Sequence, residues 1–125
     1  MTHLFKILIV DDEPFNVDYL EQELQDLGYK TVSAGNGQEA LEKVATESPD
    51  LILLDIMMPI MDGFVVLARL KAVPATRDIP VIVISILADE SDLRLGGAFA
   101  KLQKPIDRNL LRQTVEAALR QPPKP

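Results

Sequence analysis

Four short stretches hold the side chains best able to do chemistry: Asp11-Asp12, Asp55 within LILLDIMMPIMDG (51–63), Ser85 at the end of PVIVIS, and Lys104-Pro105. Taken singly, each has a plain structural reading. An acidic pair caps a helix, a strand-end Asp or Ser caps a turn, and Lys-Pro makes a turn. Asp55 is the exception that demands more, because it ends an apolar run, and a carboxylate there is costly to bury without a partner. Unit charges about 4 Å apart repel by roughly 4 kcal/mol at an intermediate dielectric. If Asp11, Asp12 and Asp55 meet, a proton or a cation must relieve them. A site with oxygen ligands and no His or Cys suits a hard ion such as Mg²⁺ (or Mn²⁺). A carboxylate oxygen beside such an ion, an ammonium and a hydroxyl is suited to phosphoryl transfer. The carboxylate attacks phosphorus, and the positive groups and the hydroxyl hold the developing charge. On this reading Asp55 is a phosphoryl acceptor.

The elements needed to bring these residues together are legible in the same chain. KILIV (6–10), LILLD (51–55) and VIVIS (81–85) are apolar without alternation, as strands covered on both faces are. KTVSA (30–34) and a weaker run over about 98–103 add two more. Between them lie helical patterns. One opens at Asp11-Asp12-Glu13-Pro14, carries Val17, Leu20, Leu24 and Leu27, and stops at Gly28. A second follows Asn36-Gly37, with Ala40, Leu41, Val44 and Ala45 inward, and closes at Ser48-Pro49. A third runs from about Asp62 to Lys71 with Phe64, Leu67 and Leu70 inward. A short polar helix is expected over about 89–95, before Gly96-Gly97. The last is capped by Asp107 and carries Leu110, Leu111, Val115, Ala118 and Leu119. This alternation predicts an α/β, doubly wound, five-stranded parallel sheet with helices on both faces. In such sheets ligands sit outside the carboxyl ends of the strands, where all four stretches fall.

Composition bounds the partners. The 125 residues suit one domain, with 47% hydrophobic and 26% charged residues. The net charge of −6 argues against a sequence-blind nucleic-acid binder, which needs a basic face, and is a poor match for an anionic membrane. There is no Cys, so disulfides and thiolate metal sites are excluded. The first apolar run is too short and too charged downstream for a span or a signal segment. No direct nucleic-acid or membrane partner is expected, and a cytoplasmic setting fits. His3 is expected to have no role. Residues 1–120 are expected to form the domain, and QPPKP (121–125) a disordered tail or linker remnant.

The order of the acidic pair, DIMMPIMDG around Asp55, Ser85 and Lys104-Pro105 resembles the response-regulator receiver domains of two-component signalling. The resemblance runs from ILIVDDEP to KLQKP. It implies a flavodoxin-like sheet of order 2-1-3-4-5 and phosphotransfer to Asp55 from a histidine kinase or a histidine phosphotransfer protein. It further implies that Asp11, Asp12, Asp55 and the backbone carbonyl of Met57 hold Mg²⁺, and that Ser85 and Lys104 contact the phosphoryl group. Pro59 and Gly63 would shape the loop after the acceptor, and Lys104-Pro105 would be cis. A downstream protein of unknown identity would be regulated. Two features depart from the common pattern. The position three before the lysine, often an aromatic switch residue acting with Ser85, is Lys101. Ser85 and Lys104 stand 19 positions apart, a few fewer than in the commonest receivers, which resembles receivers of hybrid histidine kinases. In the family the residues two after Asp55 and Ser85, here Met57 and Leu87, flank the path of the attacking water. Both are apolar, so slow self-dephosphorylation is expected. A phosphatase using an Asp nucleophile would need a general acid where Met57 stands. A flavin binder would need a Ser/Thr-rich loop after the first strand. A receiver-like module that is never phosphorylated would have no need of the full set.

Overall fold

The computed structural model describes residues 4–86 and 96–120. His3, the helix expected over 89–95, Leu87 and the tail 121–125 lie outside the described residues. The elements are β1 (Lys6–Val10), α1 (Pro14–Asp26), β2 (Lys30–Ala34), α2 (Gly37–Glu47), β3 (Leu51–Asp55), α3 (Gly63–Ala72), β4 (Val81–Ser85), β5 (Ala100–Gln103) and α4 (Arg108–Leu119). All strand pairings are parallel, as the apolar runs predicted, and the order is β2-β1-β3-β4-β5, as the resemblance implied.

Strand alternation divides the core into two layers. Leu8, Val10, Ile52, Leu54, Val81 and Val83 face α2 and α3, meeting Ala40, Val44, Val66, Leu67 and Leu70. Ile7, Ile9, Leu51, Leu53, Ile82 and Ile84 face the other way, against Leu20 and Leu24 of α1 and Leu111, Val115 and Ala118 of α4. Burying one such side chain fully contributes about 1.5–3 kcal/mol. A sheet so stocked can hold an electrostatically unfavourable cluster at its edge.

Helix boundaries follow from local chemistry. Pro14 sits in the first turn of α1. That helix ends with Gly28 at φ +92°, Gly28 N–H donating to the Gln25 carbonyl and Tyr29 N–H to the Leu24 carbonyl. This is a Schellman stop, which favours glycine. Asn36, Asp62 and Asp107 cap α2, α3 and α4, each accepting a hydrogen bond from a backbone N–H three residues on. α1 differs: its N-cap is Glu13, with no side-chain cap bond. The acidic pair therefore does not serve as that helix's cap.

Two inward assignments are corrected. Ala45 is exposed, because the buried face of α2 is Gly37, Ala40 and Val44. Leu110 is 48% exposed, because α4 buries Leu111, Val115 and Ala118. Each stands one residue, about 100° of helical turn, from a buried position. β5 begins at Ala100 rather than near 98.

Candidate functional site: an acidic cleft at the carboxyl edge of the sheet

β1 is the strand at which the chain reverses its direction of winding, pairing with β2 on one side and β3 on the other. The carboxyl ends of β1 and β3 open a crevice at that point. Asp11 follows β1 directly, and its N–H donates to the Ala34 carbonyl at 3.1 Å, which prolongs the β1–β2 ladder. Asp55 is the last residue of β3, in register with Ile84. Lys104 follows β5, and its N–H donates to the Ser85 carbonyl at 3.1 Å. Strand pairing thus fixes the backbone under each charged group. The Lys104–Pro105 peptide bond is cis.

The carboxylates of Asp11, Asp12 and Asp55 offer oxygens all within 4.8 Å of one another. Asp11 and Asp55 are 4% and 5% exposed, and Asp12 is open to solvent. Lys104 Nζ lies 3.3 Å from Asp11 Oδ2 and 3.5 Å from Asp55 Oδ2, bridging the two buried members. The remaining oxygens meet backbone donors. Asp11 Oδ1 accepts from Glu13 N–H at 2.9 Å, and Asp55 Oδ1 from Met57 N–H at 3.2 Å. Burial, and next the neighbouring Asp11 charge, push the Asp55 carboxyl above its ordinary range, while Lys104 and the Met57 N–H pull it back. One ammonium does not neutralise three carboxylates. The donor set is oxygen alone and carries surplus negative charge, which fits a hard divalent cation.

The cleft above these groups has a volume of about 240 Å³ and is lined by Asp11, Asp12, Glu13, Asn16, Asp55, Met57, Ile86 and Lys104. Of the residues expected there, Asp11, Asp12, Asp55, Met57 and Lys104 converge. Ser85 closes β4, in register with Gln103, is 1% exposed, and is not among the lining residues. Lys101 lies on β5 opposite Val83, half-buried and away from the lining. Glu13, Asn16 and Ile86 were not singled out from the sequence. No local pattern marks Asn16, because its neighbours across the cleft, Asp55 and Lys104, are distant in sequence.

The loop after Asp55 is held tightly. Ile56 O accepts from both Met58 N–H and Gly63 N–H. Met61 N–H donates to the Pro59 carbonyl at 2.7 Å, across Ile60 at φ +70°. That is a γ-turn with a β-branched residue in the left-handed region, a strained conformation.

Residues 7–116 match the model of the response regulator receiver domain. The chain belongs to this family. Receiver domains are regulatory phosphoacceptors rather than enzymes in the ordinary sense, they bind Mg²⁺ at an acidic pocket, and response regulators receive signals from histidine kinases. The chain is 44% identical over 118 residues to response regulator PleD of Caulobacter vibrioides, covering 92% of this chain and 26% of PleD. The first curated relatives are longer proteins, of which it spans 26% to 50%. Its fold matches response regulator TrrA of Thermotoga maritima, in complex with Mg²⁺ and BeF (TM-score 0.86, 33% identity, 93% of this chain and 100% of that one). It also matches the receiver domain of a histidine kinase from Syntrophus aciditrophicus (TM-score 0.85, 36% identity, 97% of each chain).

Proposed function

We propose that this receiver takes one phosphoryl group from a phosphohistidine donor, a histidine kinase or a histidine phosphotransfer protein, onto Asp55, and thereby regulates a downstream protein. The observation that carries the reading is Lys104 Nζ, 3.3 Å from Asp11 and 3.5 Å from Asp55 at the mouth of a parallel sheet, where three carboxylates face one ammonium. Asp11, Asp12, Asp55 and the Met57 carbonyl would hold Mg²⁺ or Mn²⁺. When bound, the ion would neutralise the carboxylates and polarise the phosphoryl oxygens. The Mg²⁺–BeF complex of TrrA supports the assignment by likeness.

A carboxylate oxygen of Asp55 forms the new bond to phosphorus as the bond from phosphorus to the donor nitrogen breaks. The electron pair of that bond stays on the nitrogen. Lys104 takes up charge developing on a phosphoryl oxygen, turning from its carboxylate partners to do so. The Ser85 hydroxyl would donate to another oxygen. Ser85 would carry the change into the loop that follows it, and Lys101, at the switch position on β5, would not turn inward. The working unit is residues 1–120, and the absence of Cys supports a cytoplasmic setting.

Incubation with acetyl phosphate and Mg²⁺, followed by intact mass, tests the reading. Wild type should gain one phosphoryl group and Asp55→Asn none. Equal labelling of the two proteins would overturn it.

A further inference from the structure

Beside the acidic cleft lies a second hollow of about 260 Å³, lined by Asn16, Tyr19, Lys104, Pro105 and Ile106. Lys104 and Asn16 line both spaces, so the two adjoin at these residues. The acidic cleft collects charge, whereas the second hollow presents an aromatic ring, a proline and an isoleucine. Tyr19 is 42% exposed and Pro105 is exposed. Asn16 and Tyr19 are three residues apart on α1 and therefore share a face. Asn16 is half-buried, its N–H is satisfied by the Glu13 carbonyl, and its side-chain amide has no hydrogen-bond partner among the described residues. An amide at the seam between an acidic cleft and an apolar shoulder suits a ligand polar on one edge and flat on its faces.

We propose that Asn16 contacts the leaving group of the donor, and that it selects phosphoimidazole chemistry over acyl phosphates; this rests on the acceptor role of Asp55. The imidazole ring lies against the Tyr19–Pro105–Ile106 shoulder, where an aromatic face packs well. Its nitrogen distal to phosphorus carries a proton and donates to Asn16 Oδ1. Asp55 forms the oxygen–phosphorus bond, the phosphorus–nitrogen bond breaks with its pair retained by nitrogen, and the ring departs as neutral imidazole. The hydrogen bond keeps the distal proton in place and so keeps the leaving group neutral. An acyl phosphate has no such nitrogen and gains nothing from Asn16.

The experiment compares labelling rates with two small donors, phosphoimidazole and acetyl phosphate, both with Mg²⁺, in wild type, Asn16→Leu and Asn16→Gln. Loss of one hydrogen bond corresponds to a factor of about five to ten. Asn16→Leu should slow labelling by phosphoimidazole by that factor more than it slows labelling by acetyl phosphate, a change of ratio that a folding defect would not produce. Asn16→Gln, which keeps the amide, should recover part of the loss. An equal fall with both donors, or none with phosphoimidazole, would overturn the role of Asn16 while leaving Asp55 as acceptor. Labelling that persists in Asp55→Asn would instead overturn the acceptor reading itself.

Discussion

Asp55 is a carboxylate held where its charge is unwelcome, and that has a pH signature. Its folded-state pKa is raised, first by burial and then by Asp11. The native state therefore binds this proton more readily than the unfolded chain does. Stability from this group falls as pH rises from the ordinary carboxylate value through the raised one, and above that the penalty is complete. Asp55→Asn removes it and leaves Lys104 paired with Asp11. Without divalent cation, the variant should be more stable than wild type at neutral pH, and the gap should close on acidification through the carboxylate range. Urea unfolding of both proteins across pH measures this, and a gap independent of pH would contradict the account. Met57 is 53% exposed at the cleft wall and offers water no hydrogen bond from its side chain. Met57→Asn supplies one. A hydrogen bond worth about 1 kcal/mol corresponds to roughly a fivefold faster loss of the phosphoryl group. Decay of the purified phosphoprotein should show this difference, and equal decay would sever Met57 from the water path.

At the scale of elements, the β3–α3 connection matters most, because it aims Asp55 and Met57. A Cβ added at Gly63 would lie 2.5 Å from the Asp55 carbonyl oxygen and 2.7 Å from Ile56 Cα. Both are backbone atoms and cannot swing aside. Gly63→Ala should cost about 1–3 kcal/mol by overpacking and should slow labelling of Asp55, because the strand end must shift. Denaturant midpoints and labelling rates check both effects, and an unchanged midpoint would mean that the loop is looser than its geometry implies. Most of this was legible in the sequence. Uninterrupted apolar runs marked three core strands, and Asp62, Asn36 and Asp107 announced their helices. The inner faces were less legible, because a residue such as Leu110 or Ala45 one place off the stripe is apolar too. Glu23 shows the opposite failure. It is a buried carboxylate on α1, joined to Arg108 at 2.9 Å and Arg112 at 3.3 Å on α4. No local pattern signals such a link, since its partners are 85 and 89 residues away.

For the whole molecule, the sheet order determines which loops meet. Residues 11, 55 and 104 are remote in sequence and adjacent in space because β1, β3 and β5 run parallel and end at one edge. Asn16 escaped the sequence reading for a related reason. Its significance depends on Pro105 and Ile106, which only the tertiary fold brings beside it. A cation bound among the carboxylates stabilises the native state alone, worth about 2.7 kcal/mol at a hundred times its dissociation constant. For a domain of this size that is a rise in melting temperature on the order of 10 °C. Asp12→Ala should remove most of the rise. An identical melting temperature with and without saturating Mg²⁺ would count against a metal site in this cleft.

The central claim is that one carboxylate, Asp55, receives the phosphoryl group. Labelling with acetyl phosphate, borohydride trapping of the acyl phosphate and peptide mapping locate the modified residue. The account expects the reduced product at Asp55 and unmodified Asp11 and Asp12. Modification of Asp11 or Asp12 with Asp55 intact would contradict it.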